Sequence, residues 1–60
     1  MSKKEILKYG LEVFNNEEEK FNKWFSKFNP YLEDSPQNKL KTNPQKVLEL
    51  LNKIEYSNFT

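Results

Sequence analysis

The 60-residue sequence contains no cysteine, histidine, arginine or alanine, and only one glycine. Without cysteine the chain forms no disulfide, and without histidine a zinc site would need carboxylate ligands alone. The same two absences remove the usual nucleophile and base pairs of covalent catalysis. We therefore expect no catalytic residues, no metal site and no cofactor, and we expect that the protein is not an enzyme.

A basic excess is also missing. Lysine supplies all ten positive charges, and nine acidic residues leave a net charge of +1. Domains that bind DNA usually have a strong basic bias, and the commonest specific base contact is made by arginine. The charge pattern therefore disfavours nucleic-acid binding by this chain alone.

Long apolar runs are absent as well. No stretch approaches the 18 apolar residues of a membrane-spanning helix, and the N-terminus has no apolar core of a signal peptide. The sequence thus predicts no membrane contact and a cytoplasmic location.

What the chain does have is aromatic residues: five Phe, three Tyr and one Trp, within a total of 35% hydrophobic residues. Large rings bury more apolar area than aliphatic side chains do. We expect a single domain over residues 1–60 with one small, aromatic-rich core. Such a core is marginal, so we also expect that a second copy or a partner completes it.

The first predicted helix begins with a capping box, in which Ser2 caps the helix and Glu5 reaches back to it. Apolar residues then recur at helical spacing from Ile6 to Phe14. Gly10 lies within this stripe. Either it lets another helix approach closely, or it is a tolerated weak point that costs up to about 1 kcal/mol relative to alanine.

Asn16 is predicted to cap a second helix, which Asn29 and Pro30 end because a residue before proline avoids the helical region. Aromatic residues at positions i, i+3, i+4 and i+7 of this helix predict a buried stripe. They are Phe21, Trp24, Phe25 and Phe28. In the loop that follows, Tyr31 and Leu32 are expected to plug the core.

Two further starts follow the same pattern, a cap residue and then proline at the first helical position. Ser35 and Pro36 open a single helical turn that ends near Leu40, and Asn43 and Pro44 open the last helix. We therefore predict an all-α fold, a small bundle of three helices plus one short helical turn. The last helix has a wide apolar face, which suggests a homodimer or cover by a partner. Its residues are Val47, Leu48, Leu50, Leu51 and Ile54.

Residues 56–60 form a predicted exposed C-terminal tail that contains two aromatic residues, Tyr56 and Phe59. Chain termini are usually polar and frayed. Either these rings fold back on the core or they are offered to a partner.

The order of these features resembles the C-terminal toxin-binding domain of the Xre/MbcA/ParS antitoxin family, over about residues 6 to 59. Family members close the first helix with Phe, follow it with a Trp-Leu pair, and end in an Ile-Glu pair. The matching residues are Phe14, Trp24, Phe25, Asn29, Leu32, Pro36, Leu40, Thr42, Val47, Leu51, Ile54 and Glu55.

This resemblance implies a mostly helical fold and a protein partner, a toxin of the RES type that consumes NAD or transfers from it. In the family, the C-terminal end of the domain lies over the entrance to the toxin's active site. The resemblance thus implies an antitoxin-like inhibitor whose last helix and tail cover that site. The implied contact residues are Glu55, Tyr56, Ser57, Asn58 and Phe59.

The sequence departs from the family pattern at several points. Glu33 and Asp34 stand where the family often has glycines, and Ser57 stands at a glycine position. No segment matches the helix-turn-helix domain that most members carry. These departures favour an alternative, a phage or mobile-element inhibitor or adaptor that uses the same scaffold on another host protein complex. A weak nucleic-acid binder, using lysines with Trp24 or Tyr31, is the third alternative.

Overall fold

Four α-helices follow one another in the computed structural model, which describes residues 2–57: α1 (Lys3–Val13), α2 (Glu18–Ser26), α3 (Pro36–Thr42) and α4 (Pro44–Ser57). The prediction of an all-α fold is confirmed. The segment predicted as a single turn is instead the seven-residue helix α3, so the bundle has four helices rather than three and a turn. Helix α4 packs against α1 and α3, and α2 packs against the same two helices. Within residues 2–57, no helix is both long and apolar enough to cross a membrane.

Capping hydrogen bonds confirm two of the predicted helix starts. At α1, the backbone N–H of Glu5 donates to Ser2 Oγ (3.2 Å), and the backbone N–H of Ser2 donates to Glu5 Oε1 (2.8 Å). The bond from the Ser2 N–H stabilises the ionised carboxylate and is the main reason that the pKa of Glu5 is lowered. At α3, the N–H of Asn38 donates to Ser35 Oγ (3.2 Å), and Pro36 occupies the first turn. Both starts are local devices, which is why the sequence predicts them.

The connection from α1 to α2 differs from the prediction. Asn15 and Asn16 both have left-handed backbones, with φ values of 59° and 60°. The N–H of Asn16 donates to the carbonyl of Leu11 (2.8 Å), so Asn16 closes the end of α1 and does not cap α2. The N-cap of α2 is Glu17, whose side chain makes no capping bond. Asparagine suits this turn because it tolerates the left-handed region better than most residues do.

Helix α2 ends earlier than predicted, and this moves one aromatic residue out of the core. The helix stops at Ser26, and Lys27 is extended (φ −91°, ψ 147°). Phe28 therefore lies beyond the helical spacing that would align it with Phe21, and its side chain is 65% exposed. The prediction that Phe28 holds the core is wrong for this reason.

The loop between α2 and α3 is closed by the backbone of Asn29. Its N–H donates to the carbonyl of Asp34 (2.9 Å), and its own carbonyl accepts from Leu32 (3.1 Å) and Glu33 (2.8 Å). This closure turns Leu32 inward, where it is 2% exposed, as the sequence predicts. Tyr31 remains 43% exposed, so only one of the two predicted plug residues is buried.

Glu33, in the same loop, has a left-handed backbone with φ 60°. This region costs an L-residue roughly 1–2 kcal/mol, and glycine avoids the cost. We expect Glu33→Gly to raise the free energy of unfolding by about 1 kcal/mol in urea melts. The matched control is Glu49→Gly on the exposed face of α4, which should lower it by about 1 kcal/mol. A loss of stability in both variants would contradict the argument from the Glu33 backbone.

The core has an aliphatic centre and an aromatic flank. The centre consists of Ile6, Leu32, Leu40, Val47, Leu50 and Leu51. On the flank, the rings of Phe21 and Phe25 stack with centroids 5.2 Å apart. Phe14 packs edge-on against Phe21 (5.8 Å) and lies 5.3 Å from the Trp24 ring. The predicted aromatic core is therefore found only as a flank of the aliphatic core: Phe21 is buried, and Phe14, Trp24 and Phe25 are half-buried.

Candidate partner-binding surface at the end of α4

The resemblance implies five contact residues, and the structure describes the side chains of two of them. Both lie in the last turn of α4. Glu55 and Tyr56 are both exposed, and the Tyr56 side chain is 79% exposed. Helix α4 continues through Ser57, so the first two residues of the predicted tail are helical. Asn58 and Phe59 lie outside the described residues. Tyr56 therefore stands on a helix.

Glu55 is held in place from α1. The Tyr9 hydroxyl lies within hydrogen-bond distance of Glu55 Oε1 and of Asn52 Oδ1, the latter at 2.7 Å. A tyrosine hydroxyl has one proton, so Tyr9 donates to one of these oxygens at a time. Glu55 and Asn52 are three residues apart on α4 and share one face. The network fixes the end of α4 against α1 and limits the positions that the Glu55 carboxylate takes.

This network perturbs the ionisation of Tyr9. Burial raises the pKa of Tyr9 to about 12, and the hydrogen bond to Glu55 and its negative charge act in the same direction. Tyr9 therefore keeps its proton above pH 10, where a free tyrosine loses it, and remains a hydrogen-bond donor to α4.

The raised pKa of Tyr9 predicts a loss of stability in strong base. The folded chain holds the Tyr9 proton more tightly than the unfolded chain, whose tyrosine pKa is about 10. The Tyr9 contribution is thus complete below about pH 10 and is lost as the pH rises toward 12. Tyr9→Phe should lower stability at pH 8 by about 0.5–1.5 kcal/mol and flatten this loss.

Urea unfolding of both chains at pH 8 and pH 11 measures the difference. The matched control is Tyr31→Phe, because Tyr31 makes no side-chain hydrogen bond to α4 among the described residues. Equal alkaline losses in the wild type and in Tyr9→Phe would show that Tyr9 does not carry the effect.

A polar cavity of about 350 Å³ lies beside Glu55, between the ends of α1 and α4. Val13 and Ile54 contribute apolar surface to it, and Glu12 and Glu55 contribute two carboxylates. Asn15 completes the lining. The cavity is therefore acidic and complements a basic partner surface.

Tyr31 is another exposed aromatic residue, and two lysine side chains of α4 lie over its ring. The Nζ atoms of Lys46 and Lys53 lie 5.6 Å and 5.7 Å from the ring centroid. This is the geometry of a cation–π contact within the chain. The contact docks the loop onto α4, which gives Tyr31 a structural role.

The resemblance implies Glu55 and Tyr56 as contacts, but the sequence does not place Tyr9, Asn52 or Glu12 beside them. One signal was present for Tyr9: a tyrosine inside an apolar stripe needs a partner for its hydroxyl. Nothing in the local sequence names that partner, because Asn52 is 43 residues away.

Comparison with protein families, curated proteins and solved structures finds no match to this chain. Among residues 2–57, no three His, Cys, Asp or Glu side chains form a group that could hold a metal ion. The surface at the end of α4 combines an exposed ring on a helix, a carboxylate hydrogen-bonded to the Tyr9 hydroxyl and an acidic cavity.

Proposed function

We propose that this chain is a protein-binding module that neutralises a RES-type, NAD-consuming toxin by covering the toxin's active site with the end of α4 and residues 58–60. The observation that carries the proposal is Tyr56, a 79% exposed aromatic residue on the last turn of α4. The ordered resemblance to antitoxin toxin-binding domains supports it and points to the same end of the chain.

Tyr56 has the properties of an interface anchor. Aromatic residues dominate the binding energy of protein interfaces, and an anchor on a helix loses little backbone freedom on binding. A tyrosine also presents an apolar ring and a polar hydroxyl together. Burial of this ring in a partner's cleft would supply the main apolar contact.

Glu55 and the neighbouring cavity supply the polar part of the proposed contact. The Tyr9 hydrogen bond orients Glu55 before any partner arrives, which reduces the entropy lost on binding. Glu12 adds a second negative charge at the cavity. A partner with lysine or arginine around its active-site entrance matches this surface.

The proposed mechanism is occlusion, and competition with NAD tests it. The experiment measures NAD binding to a catalytically inactive RES-type toxin from the same host, with increasing amounts of the chain. We expect the apparent Kd for NAD to rise in proportion to the chain concentration. If NAD binds equally tightly to the saturated complex, the chain does not cover the active site.

A second candidate is an inhibitor or adaptor that binds another host protein complex with the same surface. One observation favours it: α4 continues through Ser57, at the position where the family carries glycine. Glycine commonly ends a helix in a left-handed conformation, so its replacement carries the helix further. A chain that leaves RES-type toxins active but binds a different purified complex through Tyr56 would support this candidate.

A further inference from the structure

An open, apolar groove of about 510 Å³ runs between α1 and α2. It shares no lining residue with the acidic cavity beside Glu55. Its floor is made by Leu7, Leu11, Phe21 and Phe25, of which only Phe21 is buried. Three large apolar side chains are therefore only half covered along one face of the molecule.

The sequence predicts that the apolar face of α4 is the surface of a homodimer or of a partner contact, but the structure leaves the groove half open instead. The wide apolar face of α4 is closed in the structure, because Val47, Leu50 and Leu51 are buried against α1 and α3. Leu48 and Ile54 pack partly against the same core. The α4 face predicted for a dimer is thus already used within the chain, and the groove between α1 and α2 is an apolar surface that stays half open.

The two rims of the groove carry opposite charges. Lys8 lies on the α1 rim and Glu18 lies on the α2 rim, and both are exposed. Within residues 2–57 the two side chains form no ion pair with each other. A two-fold axis along the groove places α1 of one copy over α2 of the other. The rim with Lys8 of each copy then faces the rim with Glu18 of the other, and the pairing occurs twice.

We propose that this groove is the interface of a homodimer in which two copies meet face to face. The self-complementary rims favour a second copy, because a closed two-fold interface uses the same patch on both subunits. A standard interface covers about 800 Å² per subunit, roughly a fifth of the 4457 Å² that this chain exposes. The groove is smaller than such an interface, so we expect a weak dimer with a Kd in the micromolar range.

Sedimentation equilibrium of the full chain, with charge reversals at the two rims, tests the dimer. Lys8→Glu sets like charges against each other at both pairings and should raise the dimer Kd about tenfold. Glu18→Lys should do the same. The double variant restores opposite charges and should return the Kd to within about threefold of the wild type.

Lys41→Glu is the matched control, because it makes the same charge change on the exposed surface of α3, outside the groove. It should leave the Kd unchanged, and far-UV circular dichroism should show every variant folded. A wild-type chain that stays monomeric at about 1 mM overturns the proposal. So does a dimer that ignores Lys8→Glu, or a double variant that does not recover.

A monomeric wild-type chain whose toxin inhibition is lost in Lys8→Glu would assign the groove to the toxin and also overturn the dimer. Failure of the toxin assay itself leaves these sedimentation results unaffected. The dimer and the proposed antitoxin function are therefore tested separately.

Discussion

Replacement of Gly10 by leucine is expected to unfold most of the chain at 25 °C. Gly10 is buried where α1 meets both α2 and α4. A Cβ atom built there would lie 2.8 Å from Phe21 Cε1 and 3.3 Å from Leu51 Cδ1. The Phe21 ring packs against the rings of Phe14, Trp24 and Phe25, so a shift of this ring disturbs those contacts. Overpacking of this kind costs about 1–3 kcal/mol for small additions, and domains of this size rarely have more than about 3–5 kcal/mol in total.

The alanine variant at position 10 separates this clash from helix propensity. An exposed Gly→Ala change in a helix gains up to about 1 kcal/mol. Here we expect Gly10→Ala to lower the urea midpoint instead, because the added methyl group meets the Phe21 ring. In a Phe21→Leu background the cost should shrink, since the smaller side chain leaves room.

Urea unfolding followed by circular dichroism gives the four free energies of this double-mutant cycle. A gain of about 1 kcal/mol in Gly10→Ala would contradict the prediction. It would mean that Gly10 is a tolerated weak point and not a site of close helix approach.

The Tyr56→Ala variant is expected to lose at least about thirtyfold in affinity for the toxin while keeping its fold. A central aromatic anchor is worth about 2 kcal/mol or more on truncation, and 1.4 kcal/mol corresponds to a factor of ten. Tyr56 is 79% exposed, so its removal leaves the core of the free chain intact.

Phe28→Ala is the matched control for Tyr56→Ala. It removes another exposed aromatic ring, in the loop after α2 and away from the end of α4. Isothermal titration of each variant against the inactive toxin should show wild-type affinity for Phe28→Ala, within about threefold. Equal losses in both variants would show that exposed aromatic surface in general, and not the end of α4, drives binding.

The features that the sequence predicts correctly are local. The capping box of Ser2 and Glu5 and the Ser35–Pro36 start each need only four residues to form. The buried apolar stripe of α4 follows from helical spacing alone, because that helix is long and continuous. Leu32 is predicted as a core plug for a similar reason, since a large apolar residue in a short loop has few other places to go.

The predictions that fail depend on where a helix ends. The i+7 spacing aligns Phe28 with Phe21 only if α2 continues past Ser26, and it does not. Asn16 has the right side chain to cap α2, but a left-handed asparagine pair is needed to close α1 first. An N-cap for α2 and a left-handed end for α1 both need Asn16, and the sequence alone does not say which of the two forms.

The hydrogen-bond network at the candidate site is a tertiary feature that no local pattern shows. Tyr9 and Glu55 are 46 residues apart, and they meet only because α1 and α4 pack side by side. The resemblance implies that Glu55 and Tyr56 are contacts. The structure adds Tyr9, Asn52 and the acidic cavity that lies around Glu55.

A chain that ends at Glu55 tests the central claim most directly, because it keeps the Tyr9 network and removes Tyr56 with everything beyond it. The measurement is inhibition of NAD consumption by the toxin, with far-UV circular dichroism as the check on folding. Binding through the end of α4 predicts that the shortened chain keeps its helical signal and its cooperative melt but no longer inhibits, even in excess. A folded, shortened chain that inhibits as well as the full chain would contradict the claim.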